Sequence, residues 1–594
     1  MAYGRPANVR SHRRGGRRKK LKIAPWIIVV SVTALVLSGI GVGYAYLIRS
    51  TCSGSVKATI IASPSIYPIL DSLGRQWEDT EPSVNGVCAS VEIEAKDSAV
   101  MAQALGNDWD PKTNGTPPDV WVPESSVWIR QASADSDAER MMPDRQPSLA
   151  RTPVVIGMPK DMATALGWPK KPIDWSTVLS GTNWSTYGKP WGEFKFGMTD
   201  PNKSTAGLLA LMSMLDHNDD GEITPEERSA VLRLKQVMSR GDYQDSTGKI
   251  LSTFAKQDAQ GKDSALQYLS AFPALEQDLV AYNLNNPKEP LVAVYPTSGS
   301  ADADHPYLVL NAPWSNPQRK AAASAFLEFA RGSQGRAAFL SAGFRDSNRN
   351  PGKDLTEANG FSPQVPTLPR AVLLPESVKQ SLATWTALTR PTNMLLVLDV
   401  SGSMAQTVPG TGKSRLALAQ DAASNAIKLF GDDARVGLWA FSTNQDNGKD
   451  YRQVVPIGRL GDRVGSTTRK QALLSGIASL HARGDTGLYD TVAAAQKAVM
   501  DNFVAGATNL VVLLTDGKNE KPGGGLTLDQ LKNQLKQNGA DGNRAVPVVT
   551  VGYGDQADFS VLQQISALTN TESFSSKDAF DINEVLLSAV FGQV

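Results

Sequence analysis

The chain has 594 residues, too many for one ordinary core, so two large domains plus smaller elements are expected. Its formal net charge is +1, but nine of its lysines and arginines fall in the first 22 residues, and from Ser50 onward 50 basic residues face 59 acidic ones. A mildly acidic bulk argues against a nucleic-acid partner there. Two cysteines and four scattered histidines argue against zinc and thiol chemistry.

The basic tail, residues 1–22, contains no acid and is followed by 26 uncharged residues, 23–48. At about 1.5 Å per residue a helix over this run spans a bilayer core. Trp26 near one end and Tyr44 and Tyr46 near the other fit interfacial positions. The basic cluster places the amino terminus in the cytoplasm and everything after Arg49 outside. A retained single-pass anchor in the cell membrane is expected in preference to a cleaved signal peptide. The apolar run is long for one, and Gly43-Tyr44-Ala45 is a poor cleavage site. Cys52 and Cys88 then lie in an oxidising setting, where a disulfide is expected.

Residues 52–345 read as the first extracellular domain. The run from Val56 leads through Ser63 and Ser65 into a helical stretch. Later segments include Pro118-Asp-Val-Trp-Val122, Thr152-Pro-Val-Val-Ile156, Phe196-Gly-Met-Thr-Asp200 with Ser204 and Thr205, and Val292-Ala-Val-Tyr295-Pro296. Together these resemble the bacterial extracellular solute-binding proteins with the two-lobed periplasmic-binding-protein fold. That resemblance implies a cleft closing over a small anion or polar solute. Ser63, Ser65, Ser204 and Thr205 precede helices, where hydroxyls and free backbone N–H groups form anion sites, so they are the expected ligand-binding residues. The same hydroxyls also suit plain helix caps.

Within this domain, residues 216–227 fit a twelve-residue EF-hand-like loop. Asp216, Asn218, Asp220, Glu222, Thr224 and Glu227 supply oxygen ligands, and Gly221 provides the sharp turn. Ca²⁺ is the expected ion. Residues 346–390, rich in proline and polar residues and ending in a helical stretch, are expected to link this domain to the next.

Residues 391–594 alternate strand-like and helix-like segments, as in a doubly wound parallel sheet with helices on both faces. The apolar run 393–398 ends in Asp399-Val-Ser401-Gly-Ser403, a carboxylate and two hydroxyls at a strand end. Thr486 precedes a helical stretch, and the run 510–514 ends in Thr515-Asp516-Gly517. Such hard oxygen ligands suit Mg²⁺, Ca²⁺ or Mn²⁺. The pattern resembles the von Willebrand factor A domain and its metal-ion-dependent adhesion site. The resemblance implies that Asp399, Ser401, Ser403, Thr486 and Asp516 surround Mg²⁺ (or Ca²⁺ or Mn²⁺) and that a protein partner supplies an acidic residue.

The expected fold is thus α/β, with one transmembrane helix, a two-lobed domain with an EF-hand-like insertion, and a von Willebrand factor A-like domain. The expected function is a membrane-anchored extracellular binding protein that recognises a solute or wall component and a protein partner. No enzyme is expected, because nucleophile, base and orienting residue cannot be assembled from these histidines. Two alternatives remain: a solute receptor of an importer, and a cell-wall-acting enzyme, for which Asp119 and Glu124 near a strand end are the nearest carboxylates.

Overall fold

The computed structural model describes residues 52–576, apart from 107–108, 182, 216–233, 235–241, 298, 300, 366–374, 522–523, 540–543 and 555. Among the described residues no helix is long and apolar enough to cross a membrane. The expected tail (1–22) and span (23–48) lie outside the described residues, as does the EF-hand-like loop 216–227.

The first domain is built on two sheets. In one, Ser55–Ala62 pairs in parallel with Val87–Ala95 and with Val120–Val122, and Leu308–Val309 and Ser83–Val84 close the edges in antiparallel fashion. Val56, Ala58, Ile60 and Ala62 pack on one face with Leu70, Leu73 and Trp77 of the helix Tyr67–Glu78. The residues between them include Ile61, which faces the opposite core, as the two-residue period of a strand buried on both faces requires.

In the second sheet the long strand Ala150–Pro159 is central. Phe272–Leu275, Leu291–Val294, Asp302–Ala303 and Arg345–Asp346 all run antiparallel to it. Cys52 and Cys88 form a disulfide with Cα atoms 5.1 Å apart, fastening the chain before the first strand to its parallel neighbour.

The stretch 346–390 is not a bare tether. Leu355 and Phe361 are buried in the second sheet's core, and the carbonyls of Ser362 and Pro363 accept from buried Arg345 of the first domain at 2.6 and 2.9 Å. The helix Pro375–Thr389 buries Val378 and Trp385 in the first domain's largest core and contacts the helices Thr205–Leu215 and Ser126–Ala132. Its apolar stripe at 378, 382 and 385 has helical spacing, so docking removes from water a face that a free linker would expose.

The second domain has one six-stranded sheet. Its order is Lys449–Arg459, Arg435–Asp446, Thr392–Asp399, Thr508–Thr515, Val548–Tyr553, Ser573–Ser576. All neighbours are parallel except the first pair, a hairpin. Met394, Leu396 and Leu398 face the core shared with the helix Arg415–Leu429, whereas Leu395 and Val397 face the core shared with Leu488–Asp501 and Phe559–Leu568. Pro547 immediately precedes an interior strand, where its missing N–H costs no ladder bond.

Candidate functional site

In the second domain the central strands Thr392–Asp399 and Thr508–Thr515 run side by side, in register from Thr392 with Thr508 to Leu398 with Leu514. Their carboxyl ends therefore deliver Asp399, and just beyond them Asp516, to the same edge, where open α/β sheets gather ligands. Both aspartates are fully buried.

Asp399 accepts from Ser401 N–H at 2.7 Å and from the Thr515 hydroxyl at 2.5 Å. Ser401 Oγ and Ser403 Oγ lie 3.0 Å apart, and Ser403 donates to Asp516 at 2.7 Å. Thr486 is buried, and its hydroxyl lies directly over Gly517, where an added Cβ would come within 2.7 Å of it. The Gly484 carbonyl accepts from Gly402 N–H at 2.8 Å, tying the Thr486 loop to the Ser401–Ser403 loop. All five sequence-predicted residues thus converge.

Burial, above all, pushes the Asp399 carboxyl up to about 7, against the hydrogen bonds from Thr515 and Ser401, and the neighbouring charge of Asp516 adds to the rise. Two buried carboxylates beside three hydroxyls form a hard-oxygen cluster that fits a divalent ion such as Mg²⁺. Among the described residues no group of three or more His, Cys, Asp or Glu side chains could hold a metal, so a divalent ion here would depend on hydroxyls and water to complete its shell. One participant has no signal in the sequence. Arg415, the first residue of its helix, donates to Asp516 Oδ2 at 2.8 Å across 101 positions.

In the first domain a cavity of about 360 Å³ opens where the three parallel strands of the first sheet end. Ser65, Asp97, Ser98 and Glu124 line it from that side, and Ser204, Thr205, Ser246, Thr247 and Asp278 from the side of the second sheet. Of the four hydroxyls expected to bind ligand, Ser65, Ser204 and Thr205 line the cavity. Ser63 is not among its lining residues. It lies behind, with its hydroxyl 3.2 Å from that of Ser65.

These hydroxyls already have partners. Ser65 donates to Glu124 at 2.6 Å, Ser204 accepts from Gly207 N–H as a helix cap at 3.2 Å, and Thr205 accepts from the Trp128 indole at 2.8 Å. Asp97, Ser246, Thr247 and Asp278 escaped the sequence reading, although Ser246-Thr247 before a helix and Asp97-Ser98 after a strand carry the signal that singled out Ser204-Thr205.

The cavity's charge is lopsided. Asp97, Glu124 and Asp278 face one lysine, Lys203, which is already paired with Asp245 at 3.2 Å and with Asp200 at 3.8 Å. Burial and then the charge of Glu124 push the Asp278 carboxyl up to about 7. His305, fully buried, has its Nε2 3.3 Å from Ser65, and burial holds its pKa down to about 4, so the ring is neutral at physiological pH.

The structure places the two carboxylates considered for hydrolysis in different surroundings. Glu124 lines the cavity, but Asp119 is taken up in the core by Thr59 N–H at 2.9 Å and the Ser315 hydroxyl at 2.6 Å.

Residues 58–345 match the family model of the bacterial extracellular solute-binding protein, and residues 393–586 match that of the von Willebrand factor type A domain. No curated protein matches the chain. Among solved structures, a von Willebrand factor type A protein from Catenulispora acidiphila is 20% identical over 34% of this chain and 42% of its own, with a TM-score of 0.27. The chain therefore spans less than half the length of that protein. The sulfate-binding protein SubI from Mycobacterium tuberculosis is 16% identical over 52% of this chain and 92% of its own, with a TM-score of 0.35. The periplasmic binding protein AfuA from Actinobacillus pleuropneumoniae is 12% identical over 56% of this chain and 98% of its own, with a TM-score of 0.37.

Proposed function

From a chain in which a bacterial extracellular solute-binding protein domain is followed by a von Willebrand factor type A domain, we propose a binding protein of the cell surface, anchored by residues 23–48, that engages a protein partner through a divalent metal. The observation that carries this reading is the convergence of Asp399, Ser401, Ser403, Thr486 and Asp516 at the ends of two adjacent parallel strands. Those five residues would hold Mg²⁺ or a similar ion, some of them through water. The ion would supply a Lewis-acidic position open to a partner's carboxylate.

The chain's own part is to aim and neutralise. Thr515 and Ser401 N–H fix the Asp399 carboxylate, and Ser403 links Ser401 to Asp516. The site is read as one of binding rather than turnover because both matched domains are of binding type.

For the first domain the geometry favours a polar, hydrogen-bonding solute over a small anion. Three carboxylates line the cavity, its lysine is committed to other acids, and an anion there would meet uncompensated like charge. A Ca²⁺ ion in the 216–227 loop is retained as part of the same reading, on the ligand spacing alone.

Mn²⁺ titration followed by electron paramagnetic resonance tests the metal reading. The full chain should take up Mn²⁺ at a site that Asp399→Ala removes while the melting profile persists. Equal uptake by both chains would refute the assignment.

A further inference from the structure

Arg415 has no place in the ligand set expected from the sequence, yet it holds one member of that set. Asp516 is fully buried and both its carboxylate oxygens are taken: Oδ1 accepts from Ser403 at 2.7 Å and Oδ2 from Arg415 Nη1 at 2.8 Å. We propose that Arg415 is the built-in counter-cation of the adhesion-type site, holding Asp516 when no divalent ion is bound and setting how tightly that ion binds. The proposal rests on reading the cluster around Asp399 and Asp516 as a divalent-metal site.

Three features support it. The guanidinium is charged at every physiological pH, so its competition with a metal is permanent rather than conditional. It is held from a rigid element: Arg415 opens the helix Arg415–Leu429, Ser414 caps that helix by accepting from Ala417 N–H at 3.2 Å, and Arg415 N–H donates to the Gln406 carbonyl at 2.9 Å. The side chain also passes beside Gly554, where an added Cβ would lie 3.3 Å from the guanidinium carbon, so its path to Asp516 is closely bounded. Its side chain is 14% exposed and that of Asp516 is 0% exposed, so bulk water screens the pair weakly.

The charge balance gives the pair a purpose. With both carboxylates ionised, Asp399, Asp516 and Arg415 together carry a formal charge of −1, and a divalent ion brings the loaded site to +1. Without the guanidinium the loaded site would be neutral. Arg415 thereby lowers affinity for the metal and leaves the loaded site with the sign that attracts an acidic partner.

The test is calorimetric titration of Mg²⁺ into the full chain. Arg415→Gln should bind Mg²⁺ about tenfold more tightly than the natural chain, a difference of about 1.4 kcal/mol, whereas Arg415→Lys, which keeps the charge, should stay close to it. Damage to the fold would weaken binding, so a gain is not a by-product of disruption. Should Arg415→Gln fail to fold, Arg415→Met provides the same comparison. Saturable binding that is equal or weaker in the folded neutral variant, and abolished by Asp399→Asn, would overturn the inference and leave the metal site standing. If neither the natural chain nor the neutral variant takes up Mg²⁺, the metal-site reading fails and the inference with it.

Discussion

The Thr515 hydroxyl donates to Asp399 at 2.5 Å from the adjoining parallel strand, so the last residue of one strand fixes the carboxylate that ends its neighbour. Strand register brings the two carboxylates together, and the loops that follow the strands and precede the helix Leu488–Asp501 bring Ser401, Ser403 and Thr486 to them. The register also leaves a carboxylate in a place where ionisation is costly.

That cost has a pH signature. The Asp399 carboxyl is raised from 3.8 to about 7 in the fold, so the protonated form is favoured in the native state. Its contribution to stability is full below pH 3.8 and is lost as pH rises toward 7. The loss is at most about 4 kcal/mol. In chelator, the natural chain should therefore lose melting temperature relative to Asp399→Asn as pH rises from 4 to 8, and Mg²⁺ should reduce the loss. Parallel pH profiles for the two chains would contradict this.

Trp385 lies in the expected linker but belongs to the first domain's core, only 2% exposed. Trp385→Ala should destabilise the first domain by about 3–5 kcal/mol, the usual range for removing a buried aromatic. Denaturant unfolding followed by fluorescence would show it as a lower midpoint for the first domain with the second unaffected. A change confined to the second domain would show that the helix Pro375–Thr389 is misassigned.

The disulfide Cys52–Cys88 closes a loop of 36 positions. Loop-closure entropy of that size stabilises by about 3–4 kcal/mol. The double substitution Cys52→Ser, Cys88→Ser should lower the first domain's stability by that order in denaturant titration. Thiol labelling of both cysteines in the native chain would contradict the pairing.

The 216–227 loop can be tested through stability. Ca²⁺ should raise the melting temperature of the first domain, and Glu227→Gln, which removes the expected bidentate ligand, should abolish most of the rise. An identical rise in the variant would leave a capped acidic turn, with Thr224 and Glu227 as its box, as the better description.

The adhesion-type cluster was legible because each of its three segments is punctuated locally, by a buried strand ending in an acid or by a hydroxyl before a helix. Arg415 was not, because its role exists only across space, beside Asp516. The hairpin partner Lys449–Arg459 was missed although Asn447-Gly448, with φ of 46° and 82°, is a strong two-residue turn signal between strands. The packing of residues 346–390 on the first domain was not legible, because proline and polar residues mark loops equally well on a domain's surface and between domains. Only the stripe through Val378, Leu382 and Trp385 distinguished a docked helix from a tether. In the cleft, Ser65, Ser204, Thr205 and Glu124 were legible, but Asp97, Ser246, Thr247 and Asp278 were not, since Asp278 and Glu124 come together only across the cavity between the two sheets.

The central claim is that a protein partner is held through a divalent ion at Asp399. The most direct measurement is capture from cell-envelope extract by the immobilised full chain, in Mg²⁺ and in chelator, compared with Asp399→Ala of native melting behaviour. The account predicts a partner retained by the natural chain in Mg²⁺, released by chelator, and absent from Asp399→Ala. A partner bound with equal affinity by both chains in chelator would contradict it.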